Sequence, residues 1–255
     1  MIIFIKKVIS IVFLIAVTIN FLSASRRGDV QIIEATENIQ YLSQKIAKDY
    51  FFFYYKQKDT ILKRRVNENI EQLGLYILEI EKRTQKVSTK NLLEYFKYQI
   101  DEMKKLVNDK MTLKNAQKML DQSDAFLEGA KSILHEHTYK FSEEEKMLML
   151  SKKAQYLLER VNSYYMASQI GLRSDFKYKK MKSAIDEIDE VMKDINHYQY
   201  LMILKKRVDK FSELWSLNRS FFNRDSLSIP CILTDSIEYS QDILVELEEY
   251  HKKNL

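Results

Sequence analysis

The sequence predicts an all-α protein, two tandem four-helix bundles behind an N-terminal signal or anchor segment. Three observations carry that expectation: a scarcity of turn residues, helical periodicity along the chain, and a block of sequence that recurs. Across 255 residues there are four glycines (Gly28, Gly74, Gly129 and Gly171) and one proline, Pro230. Sheet proteins draw their frequent turns from Gly, Pro, Asn and Asp, so long helices joined by short polar loops fit this chain better. Ile, Leu, Phe and Tyr are abundant enough to offset the entropy of ordering, which excludes a disordered chain.

The first 25 residues read as a targeting segment. Lys6 and Lys7 precede an uncharged, apolar run at 8–22, and Ser23-Ala24-Ser25 offers small residues where a signal peptidase would cut. Arg26 and Arg27 follow directly, which favours a retained anchor, so cleavage and anchoring both stay open. Either outcome places the remainder outside the cytoplasm, in the periplasm. No cysteine lies near the end of the run, so a lipoprotein anchor is not expected. The lone cysteine, Cys231, excludes an intramolecular disulfide and is expected to be a small core residue.

Four helices are expected in residues 29–140, at 30–58, 60–86, 89–109 and 112–139. Four more are expected in 141–255, at 141–171, 175–196, 199–223 and 229–253. Ile39, Leu42, Ile46, Tyr50 and Phe53 alternate steps of three and four, as do Leu113, Ala116, Leu120, Ser123, Leu127, Ala130 and Leu134. Ser142 to Glu145 has the pattern of a capping box, and Pro230 sits at a favoured first helical position. The link through His135 to Phe141 could let the fourth and fifth helices fuse into a rod.

The repeat appears as Gln40-Tyr41-Leu42 returning as Gln155-Tyr156-Leu157. In that register Lys45 meets Arg160, Ile46 meets Val161 and Tyr50 meets Tyr165. Later, Leu120 and Ser123 align with Leu233 and Ser236 at nearly the same offset.

Residues 36–48, TENIQYLSQKIAK, resemble the opening motif of the PilJ-type domain. That domain is the input module of type IV pili chemotaxis transducers, related to the periplasmic domain of nitrate/nitrite sensors. The match rests on Leu42, Ser43, Gln44, Ile46, Ala47 and Lys48, with Lys45 conservative; residues 151–163 are a more diverged copy. The resemblance implies a helical sensory module that holds a small anion through motif arginines, whose planar fork of donors suits an oxyanion. Here Asn38 and Gln40, and in the second copy Lys153 and Gln155, stand where arginines would be. Lys45 and Arg160 remain. The implied ligand-binding residues are therefore Gln40, Ser43, Gln44, Lys45, Lys153, Gln155 and Arg160, for a small polar or anionic ligand. The competing reading is polar residues on an ordinary bundle surface.

No catalytic residues and no cofactor are expected. The chain has no glycine-rich phosphate loop, no metalloprotease helix motif and no nucleophile elbow. His135 and His137 lie about 200° apart on a helix, so they are read as a solvated helix end rather than a metal site. The run from Tyr50 to Tyr55 is too long to face one core and suggests packing plus an interface. The net charge of +5 comes from 41 basic and 36 acidic residues. They are interleaved, which argues against nucleic acid. The functional expectation is a periplasmic sensory or ligand-binding module working through a membrane sensor or transducer, with homodimerisation as a further option. The alternative is an envelope adaptor using the bundles as an interaction surface.

Overall fold

A computed structural model describes residues 2–56, 59–222 and 229–255, and of residues 2–27 the backbone path alone. The targeting segment read at 1–25 rests on side chains outside that description. The fold is all-α. In order, the helices are α1 (Ile2–Tyr55), α2 (Thr60–Arg83), α3 (Val87–Asn108), α4 (Leu113–Glu136), α5 (Glu143–Gln169), α6 (Asp175–His197), α7 (Met202–Arg219) and α8 (Pro230–Lys253). A short 3₁₀ turn, Ser220–Phe222, extends α7.

Local chemistry sets the starts. Asp59 accepts from the Ile61 and Leu62 amides, Thr112 from Asn115, and Ser174 from Lys177. Ser142 and Glu145 form the full reciprocal capping box at the start of α5. Each cap satisfies amides that the first turn would leave orphaned. At the other end of α5, Gly171 takes φ +101°, a left-handed conformation that stops the helix.

The helices close into two rings of four. α1 packs on α2 and α4, with α3 completing the ring against both; α5 packs on α6 and α8, with α7 completing the second. α2 shows what this does to sequence, burying Leu62, Val66, Ile70, Leu73, Ile77 and Ile80 on one stripe. The seam read along α4 shifts at its ends: Leu113 is 43% exposed, and Ile133 rather than Leu134 is buried. A 3.6-residue helix drifts against a strict seven-residue repeat, so the outermost positions rotate off the core. Gly129 lets α3 and α4 approach, since a Cβ there would lie 2.5 Å from Phe96 Cζ.

The two rings are joined through α1 and α5, which lie against each other. Each is therefore walled on three sides. Residues 154–167 of α5 are buried without a break, as are 46–52 of α1. This accommodates the aromatic run: Tyr50, Phe51 and Phe52 are buried, Phe53 and Tyr54 half-buried, and Tyr55 exposed.

Two sequence expectations need correction. α4 and α5 do not fuse into a rod; they end and restart at Glu136 and Glu143, so that α5 can lie alongside α1. Cys231 is exposed, because Pro230 opens α8 at the end of the bundle with that position outside the α8 stripe.

The contact between the rings is reciprocal. Arg65 of α2 reaches Glu238 of α8 at 3.5 Å, while Lys180 of α6 reaches Asp124 of α4 at 2.7 Å. Arg65 and Lys180 share the 115-residue offset of Gln40 and Gln155, and Asp124 and Glu238 are 114 apart. One pair thus repeats the other with the halves exchanged, the signature of a two-fold interface. α1 and α5 run in the same direction across it, as Lys152 meets Asn38 and Glu159 meets Lys48.

Candidate functional site

The seam between α1 and α5 is where polar chemistry is buried. An exposed helix face would solvate its charges, but a helix walled on three sides must enclose some of them. Lys48 is 1% exposed, with its Nζ 3.1 Å from Asp49, 3.4 Å from Glu159 and 3.6 Å from Glu238. Nearer the start of both helices, Lys152 donates to Asn38 Oδ1 at 2.9 Å and pairs with Glu248 at 3.2 Å. Gln241 of α8 donates to the Gln155 carbonyl at 3.0 Å and to Glu159 Oε1 at 3.4 Å.

Several buried polar atoms here lack a hydrogen-bond partner: Glu37 Oε2, Lys48 Nζ, Glu159 Oε2, Arg160 Nε and Gln241 Oε1. Lys48 is held by charge rather than by aligned hydrogen bonds. Burial alone would lower its pKa, but Asp49, Glu159 and Glu238 outweigh that and raise it. Burial lifts Glu159 above the usual carboxylate range against the pull of Lys48 and Lys45. Tyr41 and Tyr156, equivalent residues on the two helices, are both pushed up by burial as well.

Glu37 is a second perturbed acid. Its stem is half-buried but its carboxylate is withdrawn from water, and burial raises its pKa from 4.5 to about 7, with Lys152 and Lys153 opposing. A raised folded-state pKa gives stability that is full below pH 4.5 and lost as the pH rises through about 7. Glu37→Gln should therefore raise stability at pH 8 by about 1–2 kcal/mol and leave it unchanged at pH 4. Urea unfolding at both pH values checks this; a variant no more stable at pH 8 would mean water reaches the carboxylate.

The residues proposed from the sequence do not all meet. Lys45 donates to the Tyr41 hydroxyl at 3.1 Å and lies over that ring, while the Arg160 guanidinium lies 5.9 Å from the Tyr164 ring centre. Gln40 and Gln155 are buried close to the seam. Gln44 instead faces α4, donating to Ser123 Oγ at 2.9 Å, and Ser123 Oγ donates to the Ser43 backbone carbonyl at 2.7 Å; the Ser43 hydroxyl turns back on its own helix, donating to the Gln40 carbonyl at 2.9 Å. Lys153 points to α6 and pairs with Glu187 at 3.8 Å. There it borders an open trough of about 600 Å³ with Lys179, Lys182 and Glu190. A second groove, about 390 Å³, lies between α6 and α7 beside Lys182 and Arg219. Sequence reasoning missed Glu37, Lys48, Lys152 and Glu159. Their signal was charge embedded in apolar runs, as in KIAKDYFFF and LLERV.

The solvated-end reading of the histidine cluster is also corrected. His135 is exposed, but His137 is 4% exposed because the α4 C-terminus folds under the loop between α2 and α3. His137 Nδ1 lies 2.9 Å from Asp29, and its Nε2 3.4 Å from the Thr84 and Thr89 hydroxyls. The second ring repeats this. His251 Nδ1 lies 2.6 Å from Glu144 and its Nε2 3.2 Å from the Tyr200 hydroxyl. Tyr198 also donates to Glu144. Burial pushes Glu144 up, but the bonds from Tyr198 and His251 pull it below the usual range. Each histidine thus ties the last helix of its ring to the first helix and to the middle loop.

Among the described residues, no group of three or more His, Cys, Asp or Glu side chains could hold a metal ion. No helix among them is long and apolar enough to cross a membrane. Compared with known proteins, the chain matches no family model, and no curated protein or solved structure matches it significantly.

Proposed function

We propose that the protein is a sensory or ligand-binding module of the PilJ type rather than an enzyme, reading a small polar or anionic ligand along the α1–α5 seam. The observation that supports this most is that Glu37 and Lys48 of α1 and Glu159 of α5 each bury a polar atom that makes no hydrogen bond. Unsatisfied buried groups cost free energy, and native proteins keep them chiefly where a ligand, water or ion completes them. Lys45 and Arg160, equivalent positions on the two central helices, supply the positive charge for an oxyanion. The apolar run and small residues at 1–25 support a place outside the cytoplasm, where the module would pass a change at its seam to a partner protein.

Calorimetric titration with nitrate, nitrite and small carboxylates tests the reading. Wild-type protein should bind at least one, and Lys45→Ala and Arg160→Ala should each weaken binding by about 1.5–3 kcal/mol, the worth of a charge-assisted hydrogen bond. No heat with any of them, or binding untouched by both substitutions, would turn the reading toward an adaptor that uses its outer faces.

A further inference from the structure

Both histidine ties lie at one end of the molecule, since α1 and α5 run in parallel and Asp29 of α1 sits at the position equivalent to Glu144 at the start of α5. At this end the start of α7 and the residue before it carry three consecutive apolar side chains in water: Leu201 at 70% exposure, Met202 at 78% and Ile203 at 84%. The corresponding loop of the first ring shows Val87, 71% exposed, at the start of α3. Scattered exposed apolar residues need no explanation, but three in a row at a loop tip form a patch that water disfavours.

The loop is not splayed by accident. Tyr198 and Tyr200 turn inward, tied to Glu144 and His251, and Leu204 packs against the core. The residues on both sides of the tip are thus anchored while 201–203 are held out. Exposed Lys86, Lys90 and Lys206 stand around the two tips, with Lys252 and Lys253 at the same end. The longest uncharged apolar stretch of the chain, residues 8–22, belongs to the part of α1 that precedes Gly28 and so leads into this end.

We infer that this end is seated on a lipid bilayer, with Leu201, Met202 and Ile203 inserted at the headgroup boundary and Val87 touching it from the other ring. Apolar side chains flanked by lysines enter the interface to a depth of about 5–10 Å, and the lysines meet anionic headgroups. The bilayer is the occupant because residues 8–22, retained as an anchor, would hold this end at lipid, and a tip tied down on both sides inserts without an ordering cost. The inference is independent of what the α1–α5 seam binds.

The full chain, reconstituted in phosphatidylcholine–phosphatidylglycerol vesicles, permits a test with an internal control. An environment-sensitive fluorophore is attached at Ile203→Cys in a Cys231→Ser background, and separately at the native Cys231. Cys231 is exposed at the start of α8, roughly 30 Å along that helix from His251. The label at 203 should shift to the blue and be quenched by lipid-borne quenchers several-fold more strongly than the label at 231. A Val87→Cys label should fall between them. Because position 203 is exposed, the substitution does not threaten the fold. A label at 203 that stays water-like and open to iodide overturns the inference. So does one shielded from iodide but untouched by lipid-borne quenchers, which would mean a second copy or another protein covers the tip.

Discussion

Lys48→Ala should be the most damaging single change in the seam, lowering unfolding free energy by about 3–5 kcal/mol. The lysine is 1% exposed and faces Asp49 and Glu159, both as deeply enclosed, with only Glu238 reaching solvent. Removing it leaves two carboxylates buried without a counter-charge. They must then take up protons or admit water, and either response is unfavourable. The effect should be largest near neutral pH and shrink in acid, where protonation relieves the repulsion. Glu159→Gln in the same background should recover part of the loss, because one of the two stranded charges is gone. Urea unfolding of wild type, both single variants and the double variant gives the coupling. A cost for Lys48→Ala below about 1 kcal/mol would show that the seam is hydrated and the charges screened.

The second large effect is expected at the histidine ties. His251→Ala should cost about 2–3 kcal/mol, since it strands Glu144 and the Tyr200 hydroxyl and opens a space ringed by Tyr198, Tyr200 and Tyr250. His137→Ala should cost less, about 1–2 kcal/mol, because its partner Asp29 is 38% exposed against 25% for Glu144 and can be rehydrated. The two ties share no partner, so the double variant should lose close to the sum of both. Chemical denaturation of the three variants decides this. A double variant no worse than His251→Ala alone would mean that the first tie is already open in solution.

Much of the fold was legible because its determinants are local. Ser142 with Glu145, Pro230 and the three-and-four spacing of α1 and α4 act within about one turn of themselves, so the sequence marks them directly. What could not be read was which helices would be central. Nothing inside residues 154–167 announces that they will be walled on three sides; that follows only once α1 lies against α5. The candidate site suffered for the same reason. Ser43, Gln44 and Lys45 are neighbours in sequence, yet successive positions on a helix diverge by about 100°, so Gln44 went to α4 while Lys45 stayed on Tyr41. Glu37 and Lys152 were invisible as a pair because only the register of two distant helices brings them together. His137 read as solvated since its burial depends on the loop between α2 and α3 folding beneath it.

The exchange of Arg65–Glu238 for Lys180–Asp124 has a consequence for assembly. Along the shared axis, equivalent positions carry complementary rather than identical chemistry: Glu37 stands opposite Lys152. Two first halves brought together in this way would set carboxylate against carboxylate, and two second halves would set ammonium against ammonium. Only the unlike pairing neutralises itself. Tethering both halves in one polypeptide makes that pairing unimolecular and concentration-independent. It also releases each half from the constraint of self-complementarity, so one side can specialise without spoiling its own mirror image.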